Sequence, residues 1–246
     1  AAPYFTCYVV VGVLGGDQQV KYGAASAASA MFRSGSPIYF SNGYVQQGQL
    51  WGDQSVSYGP SRTATLYGNS VPKFAGGYLQ AGLLLGDQSL QYRSGRSIDA
   101  HRSSWATFAN GYVKSSFLEG GETLEYRASR SIAFTTFVTF GADGYVQSGQ
   151  VIGEPTLEYA PGKSARFKFR VEFRAGGYVK AGFMAGDTTL QTVQGVNQTA
   201  PAHAYVTFDD AGRMASFNPP SFSACYQCDP AQDHDCSQSR GLPPCN

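Results

Sequence analysis

The chain is short of charge. Lysine and arginine number 18, aspartate and glutamate 17, and together they make up 14% of 246 residues, where an average domain has about 25%. A formal net charge of +1 gives no bulk attraction to a phosphate backbone or an anionic membrane surface, so nucleic acid is not an expected partner. Long apolar runs are missing too. No window approaches the roughly 18 consecutive apolar residues of a membrane-spanning helix, and no transmembrane segment is expected. Histidine is scarce, at three residues. His101 and His203 stand in variable parts of the chain with no nucleophile motif beside them. No Gly-x-Ser-x-Gly, His-Glu-x-x-His or phosphate loop occurs, so the sequence predicts neither an enzyme nor a cofactor. A helical period is also absent. The alanine-rich residues 24–30 favour a helix by composition but occupy a slot where the sibling segments carry strand residues.

Glycine (30), tyrosine (16) and phenylalanine (16) are plentiful, a composition of pleated surfaces and tight turns. They recur in order. Gly-Tyr-Val or Gly-Tyr-Leu stands at Gly43, Gly77, Gly111, Gly144 and Gly177, in steps of 34, 34, 33 and 33 residues. An earlier copy begins at Cys7, 36 residues before Gly43, and a partial copy at Gly212, 35 after Gly177. The second copy reads GYVQQGQLWGDQSVSY, and its siblings keep the Gly-Tyr pair (Cys7-Tyr8 in the first), an apolar residue, a Gly-Asp or its variant, and a final Tyr (Thr192 in the copy from Gly177). Each copy then ends in a phenylalanine just before the next Gly-Tyr: Phe40, Phe74, Phe108, Phe140, Phe173 and Phe208. Alternation on both sides of Gly52-Asp53 predicts a hairpin turning there, and each unit is expected to hold about three short strands.

Such a unit cannot bury its apolar face alone and must stack on its neighbours. Residues 1–217 therefore predict an all-β tandem-repeat domain of about six units of 33–36 residues. Its expected form is an open β-solenoid or rolled sheet; the alternative is a six-bladed β-propeller. Residues 218–246 form a cysteine-rich C-terminal cap. Four of the five cysteines, Cys225, Cys228, Cys236 and Cys245, crowd this tail, and Cys7 stands apart. In an exported chain they read as disulfide candidates; the rival reading is a zinc site from Cys225, Cys228, His234 and Cys236. A start at Ala-Ala-Pro fits a mature end left by signal-peptide removal, hence an extracellular or cell-surface location. Asn197-Gln198-Thr199 is a glycosylation sequon.

The Tyr-x3-Gly-x3-Gly spacing of Tyr44, Gly48 and Gly52 resembles MORN-type hairpin repeats, in a longer tandem variant of the kind found in bacterial secreted or surface proteins. The resemblance covers roughly residues 7–217 and does not extend to the Trp-x-x-Gly of that motif. It implies a structural or interaction scaffold. The residues point the same way, toward an exported structural protein that self-assembles by strand addition into a filament or surface layer.

The alternative is a secreted carbohydrate-binding module. Its candidate contacts are Trp51, Asp53 and Gln54, with Asp87 and Gln88 in the next copy, where a turn carboxylate and amide stand near an aromatic ring. Asp17 and Asp187 recur at the same turn and read equally as turn chemistry. The Tyr44, Tyr78, Tyr112, Tyr145 and Tyr178 series predicts a same-face tyrosine stack. Glu122, Glu125, Glu154 and Glu158 occupy equivalent slots of neighbouring copies; a glycosidase would need two of them facing one cleft.

Overall fold

The computed structural model describes residues 10–24 and 28–219. All five cysteines, His234 and the C-terminal cap from residue 220 onward lie outside the described residues. The described chain is all β. The first repeat holds β1 (Val10–Val13), β2 (Gln18–Lys21), β3 (Ser29–Phe32) and β4 (Pro37–Ser41). The second holds β5 (Tyr44–Gly48), β6 (Gln54–Gly59), β7 (Arg62–Leu66) and β8 (Lys73–Ala75). The third holds β9 (Tyr78–Leu83), β10 (Gln88–Arg93), β11 (Arg96–Ala100) and β12 (Trp105–Ala109). The fourth has β13 (Tyr112–Phe117), β14 (Glu122–Arg127) and β15 (Arg130–Phe140), and the fifth β16 (Val146–Val151), β17 (Thr156–Ala160) and β18 (Lys163–Phe173). The sixth has β19 (Val179–Met184), β20 (Thr188–Gln191), β21 (Asn197–Ala200) and β22 (Tyr205–Phe208), before a last strand β23 (Met214–Asn218).

The expected hairpin around Gly52-Asp53 does not form. β5 pairs with β4 and β8, whereas β6 pairs with β7. Two other turns make the hairpins. One is Asn42-Gly43 between β4 and β5, with φ of 51° and 78°. Two successive positive φ angles define the type I′ turn, whose twist matches that of paired strands and which Asn-Gly favours. Asn110-Gly111 repeats it. The second is the Pro60-Ser61 turn between β6 and β7, closed by the Gly59↔Arg62 pair. Gly52-Asp53 is instead the crossover between the two.

The first and last strands of each repeat join one large antiparallel sheet, in the order β1-β4-β5-β8-β9-β12-β13-β15-β16-β18-β19-β22-β23, with no closed barrel. The middle strands form hairpins against one face of it. Units with a broken return therefore have four strands; units four and five, whose return is unbroken, have the expected three.

One contact sets the stacking. The hairpin tyrosine of each repeat lies flat on the closing phenylalanine of the next. Ring centroids are 4.4 Å apart for Tyr22–Phe74, 4.6 Å for Tyr58–Phe108, 4.4 Å for Tyr92–Phe140, 4.8 Å for Tyr126–Phe173 and 4.5 Å for Tyr159–Phe208. The Tyr22 hydroxyl accepts from the Ser57 amide and that of Tyr58 from the Gln91 amide, at 3.0 and 3.1 Å. The residue after each tyrosine presses on the Gly of a later Gly-Tyr pair. A Cβ on Gly144 would sit 2.7 Å from Arg93 Cβ, and one on Gly177 2.4 Å from Arg127 Cβ. The Gly of Gly-Tyr-Val is thus fixed by a neighbour as well as by its turn. The following tyrosines do not stack on each other. Arg62, Arg93 and Arg127 lay their guanidinium groups over Tyr112, Tyr145 and Tyr178 instead.

Two predictions follow from the stack. Tyr58→Ala and Phe108→Ala each cost about 3 kcal/mol or more in denaturant unfolding. The double variant costs about 0.5–1.5 kcal/mol less than the sum, the extra worth of an aromatic pair; additive losses would show that the rings are uncoupled. Burial raises the phenol pKa of Tyr58, Tyr92 and Tyr159. Unfolded tyrosine ionises near pH 10. Stability is therefore full below that pH and lost as pH rises through the raised folded values, read by coincident tyrosinate absorbance and loss of sheet signal.

Candidate functional site on the open sheet face

Along each sheet strand the residues facing the hairpins are buried and their alternates face outward. Two outward positions lie near one end of the strands in each repeat. One is six residues after the Gly of Gly-Tyr, as in Gln49, Leu83, Phe117, Gln150 and Phe183; the other is three before the closing phenylalanine, as in Val71, Trp105, Phe137, Arg170 and Tyr205. The sheet brings them together across the junction between repeats: Leu83 opposite Trp105, Phe117 opposite Phe137, Gln150 opposite Arg170, and Phe183 opposite Tyr205. The Phe117 and Phe137 rings are 5.0 Å apart, and those of Phe183 and Tyr205 4.9 Å.

Trp105, Phe117 and Phe137 are 47%, 45% and 38% exposed. Together with Leu83 they form an apolar band across the neighbouring strands β9, β12, β13 and β15. The scaffold does not require them, because sibling repeats carry Gln49, Gln150 and Arg170 at the same positions. A contiguous exposed apolar band that sibling repeats do without is a candidate interaction surface. Beside the band runs a row of small polar residues. Thr107 and Ser115 share a hydrogen bond of 2.6 Å, and Thr139 and Ser148 one of 2.8 Å.

Sequence reasoning missed this band because it followed the residues that recur. The usable signal was the opposite: positions at fixed distance from the invariant phenylalanine that change chemistry from copy to copy. Of the residues it did single out, Trp51 lies just beyond the buried Leu50, in the crossover after β5, and is 48% exposed. Asp53 and Gln54 are engaged with backbone. Asp53 Oδ1 accepts from Gly68 N at 2.7 Å, and Asp87 Oδ1 from Arg102 N at 2.8 Å. Gln54 binds both the N–H and the carbonyl of Met31, at 2.7 Å each. Gln88 does the same to Thr65, at 2.8 and 2.6 Å.

The aspartate thus clamps a loop of its own repeat, and the glutamine ties its repeat to the preceding one. Asp17 and Asp187 clamp Ser34 and Ala202 in the same way. Repeats four and five lack the aspartate, having Gly121 and Glu154 there. They also lack the loop, since β15 and β18 run on unbroken, with positive φ at Thr136 and Phe169 absorbing the bend.

The four glutamates are held by separate partners. Glu125 binds Arg93 and Arg96, Glu158 binds Arg127 at 2.7 Å, and Glu154 binds Arg166. Glu122 Oε1 accepts from Asp99 N at 2.8 Å. A depression of about 510 Å³ lies elsewhere, between the Gly141–Gly144 and Arg174–Gly177 turns. No family model, curated protein or solved structure matches the chain.

Glu122 takes the place of Gln54 and Gln88 but donates nothing to the Asp99 carbonyl. Burial raises its carboxyl pKa, opposed by the Asp99 amide, and the Asp99 carboxylate adds to the rise. A raised carboxyl favours folding below its unfolded value, and that contribution is lost as pH climbs through the folded one. Glu122→Gln is therefore expected to stabilise the protein at pH 7 by about 1 kcal/mol through the regained amide bond. The advantage shrinks on acidification. Urea melts at pH 7 and pH 4 check both signs, and a destabilised variant at pH 7 would contradict them.

Proposed function

We propose that the protein is an exported structural repeat protein whose open sheet joins further copies by strand addition, as a subunit of an extracellular filament or surface layer. One observation carries the reading: the edge of β1, which is unpaired among the described residues. Val10, Val11 and Val13 are 58%, 56% and 67% exposed. No charged residue occurs from Val10 through Gly16. Among the described residues β1 pairs only with β4, so its outer N–H and C=O groups face away from the sheet. Edges that must stay single are usually blunted by lysine, proline or a bulge, and this one has none of the three.

The strand count favours a direction. Thirteen strands lie on the main path and neighbours alternate in direction, so β1 and β23 point the same way. Head-to-tail addition by translation would then create a parallel pair in an otherwise antiparallel sheet. Two copies of β1 related by a two-fold axis pair antiparallel, as every other junction does. The far end carries a partial closure. Thr192 stands where the ladder tyrosine would be, and Val193 N donates to Met214 O at 3.2 Å. In this reading the array is an open, rolled solenoid, the cysteines cross-link within or between subunits, and β23 provides the second contact of a filament.

Association is expected in sedimentation velocity at rising concentration, and negative-stain microscopy should show particles longer than one chain. Val11→Lys should shift the population to monomer by tenfold or more while changing stability by less than about 0.5 kcal/mol, as for a surface site. A wild-type chain that stays monodisperse and monomeric at millimolar concentration would refute the proposal.

A further inference from the structure

The apolar band on the open face is independent of the β1 edge. We propose that Leu83, Trp105, Phe117 and Phe137 form a binding platform for a neutral, β-linked polysaccharide lying across the strands. Three properties of the face select this ligand. First, the four side chains carry no ionisable group, and neither do Thr107, Ser115, Thr139 and Ser148 beside them. Arg170, a cation bordering Phe137, is already ion-paired with Glu172 at 3.1 Å, so the platform itself offers a polyanion or polycation no free partner and its complement is uncharged.

Second, the face is amphipathic in one direction. An apolar row of Leu83, Trp105, Phe117 and Phe137 runs across the strands. One outward position further along β12, β13 and β15 a hydroxyl row of Thr107, Ser115 and Thr139 runs parallel to it and continues to Ser148 on β16, with Ala81 in that position on β9. A β-linked pyranose has the same division, with axial C–H groups on its flat faces and equatorial hydroxyls around its rim. The C–H faces rest on the rings and the rim hydroxyls reach the Thr and Ser oxygens. Adjacent strands lie about 4.8 Å apart, so the four-strand stretch gives a track roughly 14 Å long, suited to several sugar units in an extended chain.

Third, the hydroxyl row argues against a second copy of the chain packed face to face. The Thr107–Ser115 and Thr139–Ser148 pairs use one donor each. Each pair keeps a second O–H and spare lone pairs, which a dry sheet-on-sheet contact would leave unsatisfied at a cost of about 1–3 kcal/mol apiece. A sugar satisfies them.

The test uses the full chain with microcrystalline cellulose, chitin and insoluble xylan, and with the α-linked polymer dextran coupled to beads as comparison. Co-sedimentation with at least one β-linked polymer and not with dextran is expected. Trp105→Ala/Phe117→Ala should weaken that binding tenfold or more while the sheet signal and a cooperative melt are retained, with only a modest fall in melting temperature, these side chains being about half exposed. Trp51→Ala and Val11→Lys should leave it unchanged, which separates this platform from the crossover and from strand addition. The proposal is overturned by absence of binding to all three β-linked polymers, by equal binding to dextran, by binding that survives the double substitution, or by binding lost with Trp51→Ala or Val11→Lys.

Discussion

Every complete hairpin from the first repeat to the fifth rests on a phenylalanine that belongs to the next repeat. This one-unit offset is the constraint on which the rest of the structure depends. A hairpin stacked on its own repeat would bury its tyrosine and stop. Stacked on the next, it buries Tyr58 against Phe108 and Tyr92 against Phe140, so the aromatic core of one repeat is completed by its successor. The hairpins therefore line one face of the sheet and leave the other open. The offset also reaches the turns: Arg93 and Arg127 pack on Gly144 and Gly177, where no side chain fits. At the ends the rule lapses. Phe40 is only partly buried, with no ladder tyrosine before it among the described residues, and Thr192 replaces the tyrosine of the last hairpin.

The chain meets this constraint by two routes. Phe74 stands eight positions after Leu66, and Phe108 eight after Ala100; Phe140 stands six after Phe134, and Phe173 six after Phe167. With eight, the excess forms a loop that needs pinning, and an aspartate fifteen residues earlier accepts its backbone N–H. With six, the strand continues and the aspartate has no task. The recurring Asp therefore tracks the loop and not the turn in which it stands. The two routes deliver the phenylalanine to the same place, which is why two repeats of 34 residues and two of 33 follow one another in one sheet.

Much of the fold was legible in the sequence. Period-2 alternation gave the strands, the spacing of Gly-Tyr gave the units, and the closing phenylalanines marked a core position that the structure keeps buried from Phe74 to Phe208. The pairing was not legible in the same way. Alternation around Gly52-Asp53 is equally compatible with β5 facing β6 or facing β4 and β8, because a strand shows the same pattern whichever neighbour it takes. Asn42-Gly43 was the stronger turn signal, since both its residues tolerate the positive φ of a type I′ turn, whereas the Gly52-Asp53 pair changes to Gly120-Gly121 and Gly153-Glu154 elsewhere. The candidate site was the least legible. Trp105, Phe117 and Phe137 are far apart in the chain and become one band only through the register of β12, β13 and β15.

The sequence alone determined that this protein is a tandem array of short strands, with little charge and a fixed aromatic at each step. Those properties depend on local backbone preference and on which residues share a face. The tertiary structure decided which strands pair, that the recurring aspartate and glutamine serve backbone rather than solvent, and which aromatics stay outside. Hydrogen bonds such as Gln54 to Met31 and stacks such as Tyr58 on Phe108 join residues 23 and 50 positions apart, and a periodic sequence offers several equivalent partners for each. Only packing one repeat on another selects among them.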